Sequence, residues 1–225
     1  MPKPFTKYHL LFLFSVAYIT TYAQSFEGWI TYKVEMPNPN PKMIPDSLWQ
    51  KSLKEKLGER GYIVQKYYYK EGNYISEIDA GKERGYQLYN PKDGLLYSWR
   101  VGSDSAVTVD SRKTIDTFVE CIDQKETATV MGIVCKSMIV KSEMGEMKVW
   151  YNKEYLKMDA RFYKGHLYGH WDQILNKIGC MPLKIEQMGF MASAVQEVTD
   201  FKQVPVDNKK FELPKFKKVL KNPIN

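Results

Sequence analysis

His166 and His170 stand four residues apart, with Asp172 and Cys180 close behind them. On a helix that spacing lets two imidazoles share a metal ion such as zinc. Gly169 weakens a helix between the two histidines, and the glutamate of a His-Glu-x-x-His motif is missing. No metal ligand set is therefore assigned. The chain has no Gly-x-Ser-x-Gly elbow, Walker loop, Cys-x-x-Cys pair or histidine-bearing triad. The acids Glu143 and Glu146, and Asp159 near Arg161, fall in turn-like segments and read as solvated surface. The expectation is a non-enzymatic protein with no catalytic residue and no cofactor.

Three cysteines, Cys121, Cys135 and Cys180, leave one thiol unpaired or paired between chains. A hairpin turning near Lys125 would place Cys121 opposite about position 130. Cys135 would then lie beyond the few-ångström reach of a bridge to Cys121. The pairing expected, if one forms, is Cys135 with Cys180; free buried thiols are the alternative.

Lys66-Tyr67-Tyr68-Tyr69-Lys70 interleaves cations and aromatic rings, a pattern on which unpaired bases stack. Tyrosine is equally a strand residue, and that reading is preferred. Six lysines lie between Lys209 and Lys221, with Glu212 the one acid there. They read as a solvated basic tail over residues 216–225, or as a contact for an anionic surface or acidic partner.

The first residues argue for export. Lys3 and Lys7 precede an apolar run from Leu10 to Ile19, interrupted by Ser15 and followed by Thr20-Thr21-Tyr22-Ala23. This is the pattern of a signal peptide over residues 1–23, cut after Ala23. The run is too short to span a bilayer, which needs about 20 residues. The expected location is the periplasm or the cell exterior, where nucleic acid is not the partner. The formal charge of +7 would fall to +5 with the two leader lysines removed. The remainder, residues 24–215, reads as one domain, without linker or internal repeat.

The elements follow from periodicity. Phe26 to Met36 alternates, with Ile30, Tyr32, Val34 and Met36 on one face. Pro37, Pro39 and Pro41 end that strand. A helix is expected after Pro45, with Asp46 or Ser47 as cap and Trp49, Leu53 and Leu57 as its apolar stripe. Such a stripe packs on the core, or, on the fold resemblance given below, lies over an apolar groove as a lid. Short strands with brief turns run from Tyr62 to Ile122, the mark of an antiparallel meander. Gln124 to Thr127 reads as turn-like. Thr129 to Lys141 then reads as one long strand, bent or bulged at Gly132. Glu143 to Glu146 turns the chain into a return strand, Met147 to Tyr151. Leu167, Trp171, Ile174, Leu175 and Ile178 stripe a second helix that ends at Gly179. Pro182 to Gln187 and Ala192 to Phe201 give the last strands, with a turn near Gly189.

The stretch from Glu126 to Lys136, ETATVMGIVCK, followed by Val149-Trp150-Tyr151, resembles a secreted Bacteroidetes family of unknown function. Ile133 stands where that family has an aromatic residue. Gly179-Cys180-Met181-Pro182-Leu183 and Phe211-Glu212-Leu213-Pro214 match its later elements more loosely. The family is similar in fold to the LolA/LppX lipoprotein carriers. The resemblance implies a mainly β (α+β) chain: a strongly curved antiparallel sheet, an unclosed barrel, plugged by two amphipathic helices. It also implies an acyl chain or other lipid in the concave face, or an envelope lipoprotein as partner. On that reading the apolar lining includes Trp29, Tyr32, Ile133, Met138, Val149 and Tyr151; the alternative is that these six are ordinary core. A structural or protein-interaction module with a filled core is the competing expectation for the whole chain.

Overall fold

Alternation between Phe26 and Met36 produces strand β1, Gly28–Glu35, which buries Ile30 and Tyr32 and turns Trp29, Thr31 and Lys33 the other way. In the computed structural model, which describes residues 25–188 and 193–222, this strand joins the two halves of the molecule. The expected leader with its cut after Ala23, and the turn at Gly189, lie outside the described residues.

On one side of β1 the meander runs outward through β2 (Ile63–Lys70), β3 (Asn73–Asp79), β4 (Arg84–Asn90), β5 (Leu95–Arg100) and β6 (Ser105–Asp110). Four further strands lie on the other side: β7 (Phe118–Val130), β8 (Ile133–Ser142), β9 (Gly145–Tyr151) and β10 (Lys184–Met188). They reach β1 through β11, Ser193–Gln203. A last short strand, β12 (Lys218–Lys221), lies beside β6. The result is one twelve-stranded sheet whose edges, β12 and β7, do not meet, so it does not close. All its pairings are antiparallel except β12 with β6. The fold is mainly β, with two short α-helices, α1 (Asp46–Leu57) and α2 (Trp171–Ile178).

Register sorts the tyrosines. Tyr69, Tyr74, Tyr89 and Leu96 face one another across β2 to β5, on the side of Ile30 and Tyr32. We call this the inner face. Tyr163, from the 3-10 turn Ala160–Tyr163, stacks over Tyr74 and Tyr89 at ring distances of 6.4 and 6.2 Å. Tyr67 joins the cluster, while Tyr68 points outward beneath the Lys210 ammonium, 4.2 Å from its ring. The Lys-Tyr-Tyr-Tyr-Lys run is thus a strand with its rings divided between two faces. Its cations are engaged too: Lys66 sits 4.1 Å from the Trp29 ring and Lys70 pairs with Glu27 at 3.3 Å.

The organising hairpin differs from expectation in one respect. Gln124 to Thr127 is no turn; β7 runs straight through it with a bulge. The turn is Met131-Gly132, with φ of 51° and 78°, between the paired residues Val130 and Ile133. Two consecutive positive-φ residues make the two-residue hairpin that matches strand twist, and glycine suits the second position. The loss of alternation near Gly132 is thus the chain reversing. Cys121 accordingly faces Val140, and Cys135 faces Ala128.

Both helices depart from expectation at their starts. α1 has no side-chain cap; the Asp46 carboxylate instead accepts from Asn38 Nδ2 at 2.8 Å. Its stripe packs inward, with Leu53 and Leu57 buried and Trp49 Nε1 donating to the Met36 carbonyl. The second stripe breaks at Gly169 and His170, both at positive φ, so α2 begins only at Trp171. Its Ile174 and Ile178 press on Met138, Val140, Val149 and Tyr151 of β8 and β9. Each such side chain removed from water contributes about 1.5–3 kcal/mol.

The basic tail is not free. The 3-10 turn Asn208–Phe211 lies on β3, where Lys210 pairs with Glu77, and Phe216 packs edge-on against Trp99 at 5.4 Å. Lys218–Lys221 then hydrogen-bonds beside β6 as β12. Val219 and Leu220, between two lysines, give the segment enough strand character to cover that edge.

Candidate functional site

The six residues expected to line a ligand site are spread over buried and half-buried positions, and none of them lines the open apolar groove described below. Tyr32 is 3 % exposed, and its hydroxyl donates to the Pro182 carbonyl at 3.1 Å. Met138 and Val149 are fully buried, and Tyr151 nearly so, beneath α2. Trp29 is half-buried under Lys66 on the opposite face, and Ile133 is half-buried beside the β7–β8 turn. At Tyr32, Met138, Val149 and Tyr151 the inner face is filled.

The cysteines are three free thiols; the expected Cys135–Cys180 bridge is not made. Cys135 is packed in the larger core cluster and Cys180 in the one beneath α2. Burial pushes the Cys180 thiol up to about 12 and raises Cys135 and Cys121 as well. None is an activated nucleophile at neutral pH. Titration with a thiol reagent in urea, without reductant, is expected to count three thiols; a count of one would show the bridge.

The two histidines diverge. His166 Nε2 lies 3.2 Å from Tyr74 Oη, and His170 Nε2 lies 3.2 Å from Asp116 Oδ2. Among the described residues no group of three His, Cys, Asp or Glu side chains is placed to hold a metal. Burial also raises Tyr69, Tyr74 and Tyr163, which keeps the phenols of the inner cluster protonated.

An open apolar groove lies elsewhere, at the β12 end of the sheet. Its volume is about 450 Å³, within the range of about 300–1,000 Å³ usual for ligand pockets. Ile78, Tyr86, Trp99, Ala106, Val107 and Leu220 supply the apolar wall. Tyr86 and Trp99 face each other on β4 and β5 and stack at 5.2 Å. Val107 and Leu220 are paired across β6 and β12, 39 % and 44 % exposed. Gly85 allows the close approach of β4 to β5, since a Cβ there would stand 2.7 Å from the Trp99 carbonyl oxygen. Arg84 and Arg100 stand at the rim, and Arg100 pairs with Glu83 at 3.4 Å. No residue of α1 lines this groove, so α1 is not its lid. Of two further depressions, one of about 510 Å³ is walled largely by charged side chains, and one of about 600 Å³ mixes Lys153, Lys157, Asp159 and Arg161 with Met158, Ala160 and Ile178.

Sequence reasoning found strands β3 to β6 of the groove but neither β12 nor the groove itself. The available signal was Val219-Leu220 in a charged segment, together with aromatic residues at the outward parity of two paired strands. These features define a mainly β protein built on one open sheet, with an apolar groove at one edge. No family model matches the chain, and no curated protein matches it. Among solved structures it is similar to an uncharacterized conserved protein from Thermus thermophilus. That likeness has 9 % identity and a TM-score of 0.45 and covers 87 % of this chain and 91 % of the other. It is also similar to PNGF-II, at 14 % identity and a TM-score of 0.45, over 88 % of this chain but only 31 % of that one. No helix among the described residues is long and apolar enough to cross a membrane.

Proposed function

We propose that this chain is a non-enzymatic, exported protein of the cell envelope that binds a lipid or other apolar ligand, in the manner of the LolA-like carriers. The observation that carries the reading is the open groove between β3 and β12. Apolar side chains left facing water there lose little by accepting an apolar guest, and the guest gains about 25 cal/mol for each Å² it buries. The apolar leader of residues 10–19 supports export. A structural or interaction module is the second reading, favoured by the full burial of Met138 and Val149 under α2.

Titration with a fluorescent fatty-acid probe separates the two. The intact protein is expected to bind it saturably, and Val107→Arg, at a position already half exposed, to weaken binding about tenfold or more, equivalent to about 1.4 kcal/mol. Absence of saturable binding would leave the module reading in possession.

A further inference from the structure

At the opposite edge of the sheet, where β7 bulges between Gln124 and Thr127, the chain opens a second depression of about 510 Å³. It shares no residue with the apolar groove. Lys125, Lys136, Lys153 and Lys177 line it, with Asp123 and Glu126. Both acids are already answered: Lys177 pairs with Asp123 at 2.8 Å, and Lys148 pairs with Glu126. Among the described residues no acid pairs with Lys125, Lys136 or Lys153. Three positive charges are thus left without a counter-charge in one concavity.

The bulge that shapes it is anchored. Ser137 is fully buried, and its hydroxyl donates to the Glu126 carbonyl at 3.0 Å. Bulges re-aim side chains at sheet edges, and here Lys125 is brought into the depression with the others. Lys153 also donates to the Lys177 carbonyl, 3.5 Å away at the carbonyl end of α2, which explains part of its placement. Lys125 and Lys136 have no such local role.

We propose that this depression binds a phosphoryl group. A tetrahedral dianion offers several acceptor oxygens in different directions. Three separate ammonium groups, each with three donors and a flexible stem, meet that geometry as point charges. Like charges held together in a partly enclosed site also repel one another until an anion fills it.

The test uses the intact chain at low ionic strength, titrated calorimetrically with inorganic phosphate and with glycerol 3-phosphate. The double variant Lys136→Gln, Lys153→Gln is compared with Lys51→Gln, Lys56→Gln on α1, which removes the same charge elsewhere. All three proteins are first shown to melt alike. Saturable binding is expected to weaken about tenfold or more in the first variant, to be kept in the second, and to fall as sodium chloride is added. Vesicles of phosphatidylcholine with and without phosphatidic acid form a second arm. Co-sedimentation that needs both phosphatidic acid and Lys136 with Lys153 would make the group a lipid headgroup; binding of the soluble esters alone would make it a free metabolite. No saturable binding in either arm, or equal weakening by the α1 variant, overturns the proposal.

Discussion

Replacing Gly28 with alanine is expected to lower the melting temperature by roughly 10 °C, a loss of about 3 kcal/mol or more for a chain of this size. Gly28 pairs with Tyr69 on β2 and with Gln203 on β11, so it stands where the halves of the sheet join. Its φ is 151°, and a Cβ would stand 2.1 Å from the Lys202 carbonyl oxygen. That obstacle is neighbouring backbone, held in the ladder, and it cannot swing aside as a side chain would. Strands β1 and β11 would have to separate locally, exposing Ile30 and Val198, now buried. Gly132→Ala is the control. It also has positive φ, 78°, but nothing within 4 Å of the added atom, so it should cost only about 1–2 kcal/mol. Urea melts of the two variants decide the matter; equal losses would mean that β1 and β11 are not so closely apposed.

The second large effect is one of pH. His166 is fully buried among Tyr74, Tyr89 and Tyr163, and desolvation pushes its pKa from 6.5 down to about 4. The folded chain therefore takes up this proton only near pH 4, whereas the unfolded chain takes it near pH 6.5. Between those values the unfolded state holds more protons, so stability is whole above pH 6.5 and falls with acidification. The loss amounts to roughly 3 kcal/mol by pH 4. Arginines hold Asp79, Asp110 and Asp159 below the usual carboxylate range, so the stability they contribute is lost only below about pH 4. His166→Phe is expected to be weaker at pH 7 by about 1–2 kcal/mol, because Tyr74 Oη loses its partner. Its stability should nonetheless stay flat between pH 6.5 and 4. Melts across that range test this, and a parallel fall in both proteins would place the titrating group elsewhere.

Much of the sheet was legible because β1 alternates cleanly and the short runs from β2 to β6 are bounded by turns that carry Gly, Pro, Asn or Asp. Periodicity failed at Gln124 to Thr127, where a bulge and a turn share the same polar composition. It failed again at Met131-Gly132, where a hairpin reversal and a bulge both break parity. The candidate site was less legible than the fold. Trp29, Tyr32, Ile133, Met138, Val149 and Tyr151 were chosen as apolar and inward, and most are, but α2 and the tyrosine cluster occupy the space before them. The basic segment after Lys209 read as a tail because lysines dominate it, yet four of its residues complete the sheet edge.

The sequence by itself determined strands β1 to β6, both apolar helix stripes and the absence of a recognisable catalytic motif, since these depend on residues near one another along the chain. Tertiary structure alone decided which concavities stayed open. The β12 groove joins residues more than a hundred positions apart, and the lysine depression depends on which acids reach which lysines across strands. Packing fills or leaves such spaces according to volumes and registers summed over distant segments, and no local pattern of residues carries that sum.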